Sequence, residues 1–429
     1  MAEKLKRVRG MQDILPAQCE RRRHAEATAL RIAECFGYGE LRIPTLEKTE
    51  LFQRSVGETT DVVQKEMYTL EMGRESLTLR PEGTAGAVRA VLENGMLNDA
   101  LPLKICYLVS CFRHEKPQAG RFREHEQFGI EVFGSDKPSQ DAEVICLASD
   151  LLAELGIRNV ELQINSIGCP CCRPAYHKKL VEYYESHRES LCETCVERLG
   201  RNPLRLIDCK DERCKPLKLG APRSIEHICP DCDEHFAGLK KSLDAFGISY
   251  AVNADIVRGL DYYTRTVFEF VYTGIGAQGT VCGGGRYDGL IAQMGGPPTP
   301  GLGFGMGIDR ILMVMEKESS DFPEPKRCDI YIGSMGGAEN LLAQELTAAL
   351  RREGFYALFD TMGRSVKAQM KYADKMNAVH SCVIGSNEME NAGVNVKNME
   401  TGESFPVALT AEAFIEFLYA RMADRVAGE

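Results

Sequence analysis

Three arginines stand in contexts suited to handling phosphate: Phe112-Arg113-His114-Glu115, Val257-Arg258-Gly259-Leu260-Asp261-Tyr262-Tyr263 and Gly305-Met306-Gly307-Ile308-Asp309-Arg310. A guanidinium stays charged and forks onto two oxygens at once, so it is the usual group for clamping a phosphoryl while charge builds on it. The commoner phosphate cradles are missing. No Gly-Lys dipeptide occurs, which excludes a Walker loop. Glycines 301, 303, 305 and 307 recur every second residue and lead to an arginine, unlike the spaced glycines that open a dinucleotide-binding βαβ unit. The same glycine run also suits a helix packed tightly against a sheet.

Cysteine supplies the second chemistry. Nine of the 17 cysteines lie between Cys169 and Cys232, in a stretch otherwise rich in charged and helix-forming residues. Cys192-x2-Cys195 and Cys229-x2-Cys232 are knuckles of the kind that clamp a tetrahedral zinc through bonds of ~2.3 Å. Cys169, Cys171, Cys172, Cys209, Cys214 and His227 are competing partners. Two readings stand: a structural zinc that stiffens the segment, or free buried thiols.

The elements that must position these groups are legible in outline. A chain of 429 residues exceeds one comfortable core and fits two or three domains. The basic start, Met1 to Arg9, runs into Gly10-Met11-Gln12-Asp13 and not into an apolar segment, so a secretory signal is not expected. No uncharged apolar run reaches the roughly 18 residues of a membrane span. Many cysteines without a targeting signal point to a reducing compartment, and the expected location is cytoplasmic. A net charge of −10 excludes a protein that coats nucleic acid through overall positive charge and leaves room for a local basic groove.

Apolar spacing predicts an amphipathic helix from Ala17 to Phe36, a strand over Glu40 to Pro44, and short strands at Met67 to Leu70 and Leu77 to Arg80 joined near Gly73. Strands following one another without helices between them favour an antiparallel sheet. The cysteine-rich stretch interrupts it as a helical insertion, and strand-like sequence resumes at Tyr250 to Val257 and Thr266 to Val271. A polar, proline-bearing stretch from Glu316 to Pro325 reads as a linker. Beyond it, strand, helix and strand alternate over Cys328 to Gly333, Ala338 to Arg352 and Phe355 to Phe359, predicting a small α/β domain.

Five stretches in order resemble the class II aminoacyl-tRNA synthetases and, within them, the histidyl-tRNA synthetase family. Gly37 to Asp61, with Arg42-Ile43-Pro44-Thr45-Leu46-Glu47, is similar to motif 1, which implies a homodimer interface. Arg113 to Gly134 looks like motif 2 with its loop, and Gly301 to Arg310 like motif 3. Val257 to Thr264 and Gly283 to Leu290 resemble the histidine-specific motifs. The implied fold is α+β: a class II antiparallel catalytic core over 1–325, carrying a helical, cysteine-rich insertion over 168–245, then an anticodon-binding α/β domain over 326–429. The implied reaction is ATP-dependent ligation of L-histidine to tRNA(His) through a histidyl-adenylate, with ATP and Mg2+ as the nucleotide substrate.

Residue roles follow from the same resemblance. Arg113 bridges the α-phosphate and the substrate carboxylate, Arg258 approaches the α-phosphate from another side, Arg310 holds the γ-phosphate, and Arg123 lies near the ATP or acceptor phosphates. Glu82 and Thr84 address the substrate ammonium, Gln127 the amino and carboxylate end, and Glu131 and Tyr263 the imidazole, with Tyr262 and Tyr287 beside it. A site that hydrogen-bonds both ring nitrogens rejects apolar isosteres, because these leave buried polar groups unpaired. Gln118 and Arg121 of the motif 2 loop are expected near the acceptor end of tRNA. Arg364, Lys367, Lys371 and Lys375 fall at helical spacing, either as a phosphate-tracking stripe or as a solvated helix face. The rival reading is the synthetase-like regulatory subunit of ATP phosphoribosyltransferase, against which stand the retained Arg258 and tyrosines and the complete C-terminal domain.

Overall fold

The computed structural model describes residues 4–57, 60–116, 120–209, 211–275, 279–318, 320, 322–323 and 325–428, and the chain divides into two units, 1–323 and 324–429. In the first, α1 (Pro16–Cys35) begins on a proline, whose fixed φ suits a first helical turn, and buries Ala25, Ala29 and Ala33. β1 (Gly39–Glu40) follows and is shorter than the strand expected over 40–44, since the chain turns away into Pro44, which has no N–H to donate. β2 (Leu46–Lys48), α2 (Thr49–Val56), β3 (Tyr68–Met72) and β4 (Glu75–Leu79) come next. The three strands pair antiparallel in the order β2-β4-β3, with Gly73 at positive φ in the turn between β3 and β4.

α3 (Thr84–Glu93) leads to the long antiparallel pair β5 (Leu103–Phe112) and β6 (Glu124–Phe133). After α4 (Pro138–Glu154) and β7 (Val160–Ser166) the chain leaves the sheet for α5 (Arg173–Glu185), α6 (Glu193–Leu199) and α7 (Lys215–Gly220), then returns through α8 (Pro230–Ala245). β8 (Ala251–Val252), β9 (Thr264–Tyr272), β10 (Thr280–Arg286), α9 (Leu290–Gln293), β11 (Gly301–Gly307) and α10 (Ile308–Lys317) complete the unit. β8 stops short of the strand expected over 250–257 because Asn253 starts a turn, its side chain accepting from the Asp255 N–H at 3.0 Å.

The large sheet has the order β1-β5-β6-β11-β10-β9-β7-β8. Its interior pairings are antiparallel, and the parallel ones are at its two edges, β1 with β5 and β7 with β8. One face packs under α1, α4, α8 and α10 in a core that includes Phe128, Ile130, Leu151, Leu239, Phe268 and Phe304. α8 therefore belongs to the main core although it lies within the 168–245 segment expected to stand apart. Phe236, Leu239 and Leu243 are buried there, and His235 Nε2 meets Asp141 Oδ2 at 2.8 Å. Arg286, fully buried, ties the same Asp141 to β10 and also donates to the Ser135 carbonyl at 2.9 Å.

In the second unit, β12 (Ile330–Ser334), α11 (Gly337–Arg352), β13 (Ala357–Phe359), α12 (Val366–Lys375) and β14 (His380–Ile384) alternate. α13 (Ser386–Glu390), β15 (Gly393–Asn398), β16 (Ser404–Ala408) and α14 (Ala411–Gly428) follow. The sheet order is β13-β12-β14-β15-β16, parallel among the first three strands and antiparallel beyond, as a crossover helix between neighbouring strands requires.

Candidate active site

The face of the large sheet turned away from α1, α4, α8 and α10 carries the site, with α3 packed beside it, and glycine makes its floor. Residues two apart on a strand share a face, so Gly301, Gly303 and Gly305 leave one side of β11 bare. A Cβ at Gly303 would lie 1.9 Å from Glu131 Oε2, and one at Gly305 would lie 2.2 Å from Gln127 Nε2. On β10, a Cβ at Gly283 would lie 2.5 Å from Arg258 Nη1. The alternation thus clears space for site side chains on neighbouring strands, while the helix-packing role falls to the opposite face.

Over that floor lies a cavity of about 850 Å³ lined by Glu82, Thr84, Arg113, Gln127, Arg258, Tyr262, Tyr263 and Arg310. Glu82 is only 2% exposed. Its carboxylate accepts from the backbone N–H groups of Thr84 at 2.8 Å and Ala85 at 2.9 Å, capping the start of α3. Burial raises its pKa against the opposing effect of those N–H groups. Gln127 accepts from the Cys111 thiol at 3.3 Å.

Glu131 is fully buried behind the cavity. Tyr107 donates to its Oε1 at 2.8 Å and Tyr287 donates to Oε2. Burial pushes the Glu131 carboxyl up to about 8, although hydrogen bonds from Tyr287, Thr84 and Tyr107 act in the other direction. Tyr262 stacks against Tyr263 at 4.6 Å between centroids and meets Tyr287 edge-on at 5.5 Å. The result is an aromatic pocket with one carboxyl at its end.

The arginines differ in how they are held. Arg113 donates through Nε to the Pro81 carbonyl at 2.8 Å, and Arg310 donates through Nη1 to the Thr280 carbonyl at 2.5 Å. Neither makes an ion pair among the described residues. Burial lowers the Arg310 pKa, and the positive charge of Arg121 adds to that. Two inward guanidiniums without an ion-paired carboxylate keep N–H groups available to an anion.

Arg258, by contrast, is paired with Glu269, both side chains about one-fifth exposed (19% and 21%), and lies 5.7 Å over the Tyr263 ring. Burial opposes its charge, yet the Glu269 carboxylate and Tyr263 outweigh it and raise the pKa. Thr280 holds the other Glu269 oxygen at 2.8 Å.

Arg123 is folded back, donating to the Glu115 carbonyl at 3.2 Å and the Arg9 carbonyl at 3.3 Å. Arg121 pairs with Glu115 at 3.0 Å at the rim. Gln118 lies outside the described residues. Tyr107 and Glu269 had no motif to announce them, and His125, inside the motif 2 stretch, had been given no role. Tyr107 reaches Glu131 because Gly83 and Gly129 have no side chain: a Cβ on either would lie 2.2 Å or 2.4 Å from its ring. His125 lines the cavity, and burial followed by the charges of Arg113 and Arg310 drives its pKa down to about 3, so its ring is neutral.

The cysteines assemble otherwise than their spacing led us to expect. Cys192 and Cys195 meet Cys209 and Cys214, whereas Cys229 and Cys232 meet Cys169 and Cys172. The two knuckles are therefore not one ligand set, because each has found its complement nearer its own end of the segment. Cys171 is exposed, and neither it nor His227, whose ring centroid lies 6.0 Å from that of Tyr176, belongs to either group.

In the second unit, Lys367, Lys371 and Lys375 are exposed on α12. Arg364 precedes the helix and is tied to Asp360 at 2.8 Å while lying 4.5 Å over the Tyr372 ring, so it is not part of the free stripe.

Known proteins match the chain in both units. A family model described as histidyl-tRNA synthetase matches residues 10–169 and 229–311, and one described as an anticodon binding domain matches 329–421. The chain is 52% identical over 402 residues to a histidine–tRNA ligase of Acetivibrio thermocellus, covering 94% of this chain and 96% of that one. It is 50% identical over 402 residues to one of Clostridium novyi, with the same coverage of 94% and 96%. The crystal structure of apo S. aureus histidyl-tRNA synthetase superposes with a TM-score of 0.82 at 36% identity, over 97% of this chain and 100% of that one. Matched by these two models over most of both units and about half identical to named ligases along nearly its whole length, the chain belongs to the histidyl-tRNA synthetase family.

Proposed function

We infer that the first unit activates histidine on its glycine floor, Arg113 and Arg258 bracketing the α-phosphate of ATP while Arg310 holds the far end of the nucleotide. The chain catalyses ATP-dependent ligation of histidine to tRNA(His), and relatives carrying the ligase name match both of its units, which sets aside the regulatory-subunit alternative. The observation that carries the site assignment is the pair of inward guanidiniums without carboxylate partners, Arg113 and Arg310, flanking an aromatic pocket closed by Glu131. Attack of the histidine carboxylate on the α-phosphate needs no covalent enzyme intermediate, so catalysis is positioning and charge stabilisation.

Glu131 accepts from an imidazole N–H, with Tyr263 at the other edge of the ring. Glu82, Thr84 and Gln127 meet the ammonium end. Arg258 is pre-oriented by Glu269, which fixes its fork before substrate arrives and leaves its remaining N–H groups for the α-phosphate and carboxylate. ATP enters with Mg2+, and Arg123 and Arg121 serve the nucleotide or, with Gln118, the tRNA acceptor end. Lys367, Lys371 and Lys375 track tRNA phosphates from the second unit, which serves as the anticodon-binding domain. The exposed apolar side chains of the small sheet, Leu46, Leu70 and Met72, support a homodimer built through this region. No helix among the described residues is long and apolar enough to cross a membrane, in keeping with work in the cytoplasm. The cysteine groups are read as structural zinc ligands.

Histidine-dependent exchange of pyrophosphate into ATP tests the assignment. Stimulation by histidine alone among the amino acids is expected. Histidine binding without exchange would remove the adenylate step from this site.

A further inference from the structure

We propose that the cysteine-rich segment holds two separate structural zinc ions, one clasping its two ends where it leaves and rejoins the catalytic core, the other at its own centre. The proposal deepens the zinc reading of the cysteines and is independent of the roles given to the catalytic arginines. Four sulfurs bound at ~2.3 Å in a tetrahedron stand about 3.8 Å from one another. In the first group, the Sγ separations are 3.7 Å for Cys169–Cys172, 3.7 Å for Cys169–Cys229 and 3.9 Å for Cys172–Cys232. In the second, Cys192 and Cys209 are 3.8 Å apart. All four sulfurs of each group lie within 4.8 Å of one another, and no cysteine forms a disulfide, whose bond would be ~2.05 Å.

The surroundings are those of a bound thiolate. The backbone N–H of Cys169 donates to Cys172 Sγ at 3.1 Å, and that of Cys192 donates to Cys214 Sγ at 3.3 Å. Such donors spread the negative charge of a metal-bound sulfur and orient it. Gly168, at φ +73°, lets the chain turn under the first group, where a Cβ would lie 2.6 Å from Cys172 Sγ. Thiolate-only tetrahedral sites select zinc or iron–sulfur chemistry, and the paired Cys-x2-Cys spacing of the first group is that of a closed structural zinc site.

The two groups serve different purposes. Cys169 and Cys229 are the residues at which the family model stops and resumes, so the first group locks together the two ends of a segment foreign to that model. The second sits in the segment's small core, where Cys195 and Cys214 pack with Tyr176, Leu180 and Leu206. A unit of about 60 residues buries too little apolar surface to hold itself firmly, and a metal is a common remedy. What it steadies matters for the site. Asn202 donates to Asp261 at 2.6 Å, Arg205 to the Arg258 carbonyl at 3.3 Å and Arg198 to Asp61 at 2.6 Å. The first two contacts brace the loop that carries Arg258, Tyr262 and Tyr263.

Full-length protein purified without chelator is expected to contain two zinc ions and no iron per chain by elemental analysis. The double variants Cys229→Ser/Cys232→Ser and Cys209→Ser/Cys214→Ser should each retain one. Cobalt-substituted protein should show the d–d and sulfur charge-transfer bands of tetrathiolate sites, halved in each variant. KM for histidine should rise several-fold in the second variant, and Cys171→Ser should change none of these. Zinc-free wild-type protein with all thiols titratable overturns both the zinc reading and the two-site proposal. A single zinc that is lost on substituting either Cys192 or Cys229 overturns the two-site proposal alone, and iron in place of zinc overturns the choice of metal.

Discussion

The side chains that would do the chemistry are held in two ways, and their substitutions should separate them. Arg258 sits in an ion pair with Glu269, so Arg258→Ala removes the proposed phosphate ligand and leaves a half-buried carboxylate supported by Thr280 alone. Loss of one preorganised donor costs about 3 kcal/mol of transition-state stabilisation, and pyrophosphate exchange is expected to fall roughly 100-fold. Arg258→Lys keeps the charge but loses the fork, and should recover only a small part of that rate.

Glu131 gives a pH signature. Its native pKa of about 8 exceeds the ordinary glutamate value, so the folded state prefers the neutral carboxyl. Between the ordinary value and about 8 the native state binds the extra proton, and the contribution of this group to stability falls as pH rises. Glu131→Gln should therefore flatten the decline of unfolding free energy between pH 5 and 8 measured in urea. An unchanged slope in the variant would remove Glu131 as its source.

Strands β6, β10 and β11 act together as one surface whose missing side chains matter as much as those present. Gly303→Ala brings a methyl within 1.9 Å of Glu131 Oε2 and 2.3 Å of the Ile130 carbonyl, and backbone cannot yield as a side chain can. Overpacking costs typically 1–3 kcal/mol, so a lower Tm together with loss of histidine binding is expected. Gly305→Ala meets the far end of the flexible Gln127 side chain instead. That variant should keep its Tm within about 2 °C of wild type and raise KM for histidine. Calorimetry and exchange kinetics on the pair distinguish a floor that clears space for the site from one that serves only the fold. The alternation of glycine was plain in the sequence, but not which neighbour it makes room for, because that depends on the register of β11 against β6 and of β10 against β11.

The molecule divides its work between units that can be disturbed separately. Replacing Lys367, Lys371 and Lys375 together by Glu should leave pyrophosphate exchange unchanged while raising KM for tRNA at least tenfold and lowering its dependence on salt, since each lost phosphate contact removes about one unit of slope. Equal loss of both activities would place the stripe in folding instead of tRNA binding. At this scale the sequence by itself determined the sheet class, the division near residue 325, and the order of the arginine and histidine motifs. Those are set by local spacing: apolar period, turn residues, and short runs in which chemistry and glycine lie side by side. Only the tertiary structure decided that Tyr107 and Tyr287 share the Glu131 carboxyl, that Arg258 is oriented by Glu269, that α8 joins the main core, and that the cysteine knuckles separate into two groups. Each of those partnerships joins residues that a strand register or a loop closure brings together from distant parts of the chain, and spacing along the chain does not encode which distant atoms meet.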